Sequence, residues 1–468
     1  MLPDGPVVLS DVPPRLERLP WSRWHTRLVV ALGITWLLDG LEASLIANLA
    51  PILEQPDTLG LSPRSIGVAN GAYLVGQLAG ALVFGRLADR FGRKRLVLVT
   101  LALYLVSTAA TGASTGAAWF LAMRLLAGGG IGGEYSAVNS AIDELVPARV
   151  RGRVALAVNG SYWLGAAAAA LLTTFLLDPN RVPATVGWRL AFGLGAALGL
   201  GVLLVRRHVP ESPRWLVMHG RHEEAERTIA AIERAAEGPR ARLPAVPVRV
   251  RVTGSVSWAY IAHVLAVKHR RRTILGLALM VSQAFFYNGI FFSYALILRH
   301  DYDVPPDRVG FYMLPFALGN LLGPLVLGPL FDRWGRRWMI PSTYAASGVL
   351  LTATGLLYGQ GYLDATTQTI AWCVVFFFAS SAASSAYLTV SELFPVELRA
   401  MAIAFFYAIA TLVGAIAPVI FGIIVAGGNR RALVTAYLVA SAGMIGAAGI
   451  AARLAEPAEG RSLEELSG

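Results

Sequence analysis

The chain has 468 residues, 55% of them hydrophobic and only 15% charged, with a formal net charge of +11. Ordinary soluble domains carry roughly 25% charged residues, so the composition excludes a water-soluble globular fold and points to one built for lipid. The lone cysteine, Cys373, has no partner in the chain, which excludes an intrachain disulfide and a cysteine metal cluster.

The opening stretch MLPDGPVVLSDVPPRLERLPWSRW lacks an apolar core of signal-peptide length, so cleavage and export are not expected. Beyond it, twelve apolar stretches of helix-spanning length follow, at 28–50, 65–86, 96–114, 117–142, 154–177, 188–205, 272–298, 308–330, 339–359, 367–390, 399–426 and 432–452. About 20 residues rising 1.5 Å each cross ~30 Å of hydrocarbon, so these predict membrane helices 1 to 12. Arginine and lysine gather before helix 1 and in the loops 2–3, 4–5 and 8–9, whereas the alternate loops carry aspartates such as Asp57, Asp178 and Asp301. Cytoplasmic loops hold the positive charge, so both termini are expected in the cytoplasm and the protein in the cytoplasmic membrane. Arg430 and Arg431, in the outer loop 11–12, are the exception. With its charge spent on topology, the chain is not expected to bind nucleic acid.

Residues 206–271 form a long polar insertion that separates six helices from six. The expected organisation is an N-terminal bundle at 1–205, a cytoplasmic linker at 206–271 and a C-terminal bundle with a short tail at 272–468. Within the linker, HEEAERTIAAIERAAEG reads as an amphipathic helix with Ile229, Ile232 and the alanines on one side. LPAVPVRVRVTGS reads as irregular or extended, and WAYIAHVLAVKHRRR as an interfacial helix. A solvated connection explains the insertion better than a separate ligand-binding module.

The chain repeats itself. GRLADRFGRKR at 85–95 matches GPLFDRWGRRW at 328–338, and DELVPARVRG at 143–152 matches SELFPVELRA at 391–400, at nearly the same offset. Asp89, Arg90 and Arg93 align with Asp332, Arg333 and Arg336, and Glu144 and Arg151 align with Glu392 and Arg399. Matched motifs after the second and fourth helices of each half predict an all-α membrane protein of two pseudo-twofold six-helix bundles. Secondary transporters built on such repeats rock one half against the other around a midplane site.

Over essentially its whole length the chain resembles the major facilitator superfamily, in its sugar-porter-like and metabolite:proton symporter branches. The resemblance rests on the paired loop motifs, the arginine of RLLAGGGIGG, PESPRWL at 210–216 and EPAEGRSLEE at 456–465. It implies that Asp89, Arg90, Arg93, Glu144, Arg151, Asp332, Arg333, Arg336, Glu392 and Arg399 form a charge network holding the cytoplasmic side closed. It also places Glu42 and Arg124 where sugar porters have a helix-1 acid and a helix-4 arginine. Two departures weigh against a hexose: Ser282 replaces the first of the paired glutamines in helix 7, and Ala383, Ser384 and Tyr387 replace the Gly-Pro and Trp of helix 10. The Gly-Pro motif of helix 5 typical of drug/proton antiporters is missing too, which argues against export.

Ionisable residues at membrane depth cost at least ~2.5 kcal/mol each and so mark function. Helix 1 holds Asp39 and Glu42 on one face, roughly 18 and 22 Å in from Arg27 at ~1.5 Å per residue. Helix 4 holds Arg124 and Glu134, and helices 7 to 12 hold no charge well inside. These four are the proton-coupling candidates, with Asp39 or Glu42 alternating between a proton and Arg124; a static tie between helices 1 and 4 is the alternative. For substrate, Arg124 offers charge, while Gln283, Asn288 and Tyr294 offer hydrogen bonds and ring surface. Asn139, Tyr162 and Tyr387 join them, although polar residues in membrane helices also serve as interhelical glue.

Gly128, Gly130 and Gly133 in RLLAGGGIGGEY satisfy the G-x-G-x-x-G pattern. A dinucleotide loop needs a strand before it and none is predicted, so the run reads as close helix packing. No Walker motif for ATP occurs, all seven histidines fall outside the apolar stretches, and no metal cluster is readable. The expected protein is a non-enzymatic secondary transporter, monomeric in lipid, with no cofactor beyond protons. It imports a small polar organic metabolite such as an organic acid; uniport or antiport of a sugar, polyol or drug-like solute, and a nutrient sensor, are the alternatives.

Overall fold

The computed structural model describes residues 7–91, 93–206, 211–236, 248–251, 263–393 and 396–455. Helices 1 to 6 run Arg23–Leu53, Pro63–Phe91, Arg93–Gly112, Ala117–Leu145, Ala148–Leu176 and Ala184–Arg206. Helices 7 to 12 run Arg270–Tyr302, Val309–Arg333, Arg336–Gln360, Ala365–Leu393, Val396–Ala426 and Arg430–Leu454. Each contains nearly all of one apolar stretch and most extend beyond it, because backbone hydrogen bonding continues into the polar flanks. His25 and His300, outside the apolar stretches, sit on the polar ends of helices 1 and 7.

The packing repeats with the sequence. Helix 2 packs on 4, 1 on 5, 3 on 4, 3 on 6 and 1 on 6; in the second half, 8 packs on 10, 7 on 11, 9 on 10, 9 on 12 and 7 on 12. Every first-half pair recurs with each helix advanced by six. Between the halves, 2 meets 11 and 5 meets 8, which are each other's equivalents, while 1 meets 7. These are two pseudo-twofold six-helix bundles. On the side opposite the termini their contact is reinforced by Glu54 at the end of helix 1, whose carboxylate lies 3.0 Å from Nε2 of His300 at the end of helix 7.

The glycine run of helix 4 explains how the first bundle closes. A Cβ on Gly128 would lie 2.0 Å from the Tyr73 carbonyl oxygen, and one on Gly132 would lie 1.9 Å from that of Gln77, both on helix 2. A Cβ on Gly130 would lie 2.7 Å from Thr100 O of helix 3, and one on Gly133 would lie 2.5 Å from Thr100 Cγ2 and 2.8 Å from Phe84 Cβ of helix 2. Only hydrogen fits there, so two backbones lie against helix 4 in van der Waals contact. Gly129, by contrast, meets only Gly76 O at 3.9 Å.

The fold is not purely helical. Val7–Ser10 pairs antiparallel with Val248–Arg251, Val8 opposite Val250. The second strand lies within the stretch read as irregular or extended; nothing local in the sequence signals the first. Nor is the insertion merely solvated. His222–Ala236 turns Ala225, Ile229, Ile232 and Ala236 into a hydrophobic cluster with Leu16 and Leu19 of the N-terminal segment and with Leu28, Ile142 and Val154 of helices 1, 4 and 5. Arg15, on the short helix Val12–Arg18, bridges Glu226 and Glu233 at 2.7 Å each, and Arg18 reaches Glu233 at 3.1 Å.

Two outcomes are expected. Gly132→Ala forces helices 2 and 4 apart, at the ~1–3 kcal/mol typical of overpacking, and lowers the thermal midpoint of the purified protein. Gly129→Ala has room and a better helix former, so its midpoint stays level or rises. At the terminal side, hydrogen bonds from Arg15 hold the Glu233 carboxyl below the usual glutamate range, against the opposing effect of burial. A carboxyl depressed in the folded state stabilises above its unfolded pKa and loses that contribution as pH falls through the folded value. Limited proteolysis of the N-terminal segment is therefore expected to be slow at neutral pH and faster on acidification through the carboxylate range. Glu233→Gln flattens that dependence.

Candidate functional site

Two helices poor in bulk bring charge to the middle of the first bundle. Helix 1 can approach helix 5 closely because a Cβ on Gly40 would lie 1.9 Å from Tyr162 O and one on Gly165 would lie 1.8 Å from Leu37 O. Helix 4 approaches helix 2 through its glycine run. The side chains that remain between them are Asp39, Glu42, Tyr73 and Arg124.

Arg124 and Glu42 are both fully buried and form an ion pair through Nη1 and Oε1. Of the two acids on helix 1, Glu42 therefore holds the arginine. Asp39 accepts a hydrogen bond at 2.9 Å from the hydroxyl of Tyr73 on helix 2. The same ring lies under the guanidinium, 4.3 Å from Cζ to centroid, within cation–π range. The two acids also look in different directions. Behind Glu42, helix 6 closes in, a Cβ on Gly195 reaching within 3.8 Å of Oε2. Asp39 is within electrostatic reach of Tyr162 on helix 5 and Tyr407 on helix 11, so it faces the seam between the bundles.

The cluster has unused hydrogen-bonding capacity. Among the described residues, Nε and Nη2 of Arg124 and Oε2 of Glu42 have no hydrogen-bond partner. The same holds for both amide atoms of Asn48 and of Asn70, on helices 1 and 2. Buried groups of this kind cost free energy unless something satisfies them, and four of these atoms, Nε and Nη2 of Arg124 and Nδ2 of Asn48 and of Asn70, are donors suited to a carboxylate.

Across the seam the second bundle supplies rings. Trp163 of helix 5 lies 5.8 Å from Tyr287 and 5.9 Å from Phe291 of helix 7, centroid to centroid. Tyr287 also meets Phe376 of helix 10 at 4.9 Å, and its hydroxyl donates to Asn320 of helix 8. Such offset and edge-on spacings suit aromatic packing.

The other sequence candidates fall in several places. Gln283 is buried, Tyr162 and Tyr387 are half-buried, and Asn288 is half-buried with its amide donating to Ala284 O at 2.8 Å. Tyr294 is fully buried, its hydroxyl sits 2.6 Å from that of Thr369, and Trp372 and Phe316 pack against its ring. Arg333 is exposed and Arg336 half-buried. The side chains of Glu134, Asn139, Asp89, Arg90, Arg93, Glu144, Arg151, Asp332, Glu392 and Arg399 lie outside the described residues. Sequence reasoning missed Tyr73, Trp163, Tyr287 and Asn320. The available signal was Tyr73 itself, a phenol in helix 2 at the depth of Asp39 and Glu42.

Arg124→Ala is expected to leave Glu42 buried without its countercharge, at a cost of ~3–5 kcal/mol, and to lower thermal stability sharply. Adding Glu42→Gln removes the orphaned charge and recovers most of the loss. Thermal unfolding of both variants in detergent reads the difference directly.

A family model described as "Sugar (and other) transporter" matches residues 49–467. The niacin transporter NiaP of Acinetobacter baylyi is 27% identical over 461 residues, covering 97% of this chain and 99% of that one. The 4-hydroxybenzoate transporter PcaK of Pseudomonas putida is 26% identical over 446 residues, covering 92% and 93%. The inward-open xylose transporter XylE from E. coli superposes with a TM-score of 0.72 at 20% identity, covering 95% of this chain and 98% of that one, which supports the fold alone. With the match running through nearly all of the two-bundle architecture, this chain belongs to the sugar (and other) transporter family of the major facilitator superfamily, and is a multi-pass membrane transporter, not an enzyme.

Proposed function

We propose that the protein imports a small organic acid together with protons, by alternating access, and that a planar aromatic carboxylate is the best-fitting cargo. The observation that carries this reading is the juxtaposition of a buried acid and base cluster, Asp39, Tyr73, Glu42 and Arg124, with a ring-lined seam at Trp163, Tyr287 and Phe291. The niacin and 4-hydroxybenzoate transporters, relatives over nearly the whole chain, are named for aromatic carboxylates.

The chemistry follows from what the pair does when a proton arrives. With Glu42 ionised, its attraction to Arg124 ties helix 1 to helix 4. A proton on Glu42 cancels that attraction and frees the guanidinium to meet the carboxylate of a substrate, whose ring packs on the seam. Arg124 already has Nε and Nη2 unspent, and a guanidinium presents paired donors that match a carboxylate. When the proton leaves, Glu42 competes for the arginine again and the cargo is displaced. Protons are the coupling ion and no other cofactor is invoked. The arginine-rich loops support a reading with both termini in the cytoplasm and the protein in the cytoplasmic membrane, where it would act as a monomer. The paired Asp-Arg-x-Gly-Arg loops, with Glu144 and Glu392, serve as the cytoplasmic latch.

Uptake into proteoliposomes under an imposed pH gradient tests the proposal, with nicotinate and 4-hydroxybenzoate as probes and xylose as comparison. The acids are expected to accumulate when the proton drive points inward, and xylose is not. Asp39→Asn and Glu42→Gln are each expected to abolish accumulation while counterflow persists. Equilibration indifferent to pH would sink symport in favour of uniport.

A further inference from the structure

Asp39 faces the seam and Glu42 the interior of the bundle, yet both bear on one residue that neither motif nor composition singles out. We propose that Tyr73 is the positioning residue that couples the two acids, so that the protonation state of Asp39 sets how firmly Arg124 is held beside Glu42. The proposal rests on the proton-coupled reading above and deepens it.

The geometry is that of a two-sided contact. On its edge, the Tyr73 hydroxyl donates to Asp39 Oδ1 at 2.9 Å. On its face, the ring carries the Arg124 guanidinium at 4.3 Å, and that guanidinium is paired with Glu42. Tyr73 is 1% exposed, and its backbone is pinned, since the hydrogen of Gly128 is all that separates helix 4 from the Tyr73 carbonyl. The ring has nowhere to retreat, so changes at its two contacts are felt by each other.

The direction of the coupling follows from electrostatics. A phenol donating to a carboxylate pushes electron density into its ring, which strengthens the attraction between the ring face and a cation. When Asp39 takes up a proton on Oδ2, its Oδ1 becomes a neutral carbonyl oxygen and a weaker acceptor. Tyr73 keeps its own proton throughout; only the strength of the hydrogen bond changes. The ring then loses density and its hold on Arg124 weakens. Groups that bear on this node from the packed helices are Glu42 on helix 1, Tyr104 on helix 3, Arg124 on helix 4, Tyr162 on helix 5 and Tyr407 on helix 11.

The test separates the hydroxyl from the ring. Tyr73→Phe keeps the face under Arg124 and removes the bond to Asp39; Tyr73→Leu removes both. In full-length protein, the thermal shifts of Asp39→Asn and Glu42→Gln are measured singly and together, with and without Tyr73→Phe. Non-additive shifts that become additive once the hydroxyl is gone support the coupling. Equal non-additivity in both backgrounds overturns it, and this readout needs no transport. In proteoliposomes with 4-hydroxybenzoate as probe, Tyr73→Phe is expected to lower proton-driven accumulation about tenfold and to shift its pH profile. Wild-type accumulation and an unmoved pH profile in Tyr73→Phe would reduce Tyr73 to packing. Absence of proton-driven accumulation in the parent protein, with the thermal coupling present, would instead defeat the symport reading and leave the Tyr73 link standing.

Discussion

A guanidinium and a carboxylate fully withdrawn from water hold the centre of this protein to one arrangement. The idealised cost of moving each ion from water into a low-dielectric interior is of order 20 kcal/mol, so Arg124 and Glu42 persist only together, and only where the surroundings hold them in register. The surroundings do so by removing bulk. Glycines at 128 and 132 let helix 4 touch helix 2, and Gly40 and Gly165 let helix 1 touch helix 5. Helices 1 and 4 are thereby fixed on opposite sides of the pair, and Tyr73 fills what is left.

The two halves share packing but not chemistry. Each contact between helices of the first bundle has its counterpart in the second, whereas the buried ion pair has none there among the described residues. Opposite the charge cluster stand Tyr287, Phe291, Phe316 and Phe376, rings packed upon rings. Duplication supplies a scaffold with two equivalent faces, and divergence then gives one face charge and the other π surface. A cargo with an anionic end and a planar body would be met by both.

How much of this was legible follows from what each signal depends on. Apolar length alone located the twelve helices, and the repeated Asp-Arg-x-Gly-Arg loops predicted two equivalent bundles, because both features are written locally. Glu42 and Arg124 stood out because charge at membrane depth is conspicuous in any helix. Their pairing, rather than that of Asp39 with Arg124, depends on which way each side chain faces, and a spacing of three residues leaves that open. Tyr73 and Tyr294 show the difficulty for aromatics: one joins the charge cluster and the other packs, yet both are single tyrosines in apolar helices. The pairing of Val7–Ser10 with Val248–Arg251 joins residues far apart in the chain, and no local pattern announces such a partner. The amphipathic face of His222–Ala236 was readable, but a face states only that something covers it.

What covers it decides how the halves are divided. The cluster beneath His222–Ala236 draws on Leu28 and Leu32 of helix 1, Ile142 and Leu145 of helix 4, and Val154 and Val158 of helix 5. All belong to the first bundle, so the N-terminal segment and this part of the linker are packed onto it. At the other end of the linker, the turn at Val264–Lys268 is tied to helix 7 by the Thr273 hydroxyl donating to Leu265 O at 2.8 Å, and travels with the second. The surfaces between the halves are those of helix 2 on 11, helix 5 on 8 and helix 1 on 7; Gly67, Gly71 and Gly422 let the first come close and Gly310 the second. Because the Glu42–Arg124 pair lies inside one bundle and not across these surfaces, a movement of one bundle against the other would leave it intact. Among the described residues, a contact that such a motion would part is the Glu54–His300 pair at the rim, with side chains 16% and 40% exposed, where water is at hand to replace each partner and the cost of parting is small.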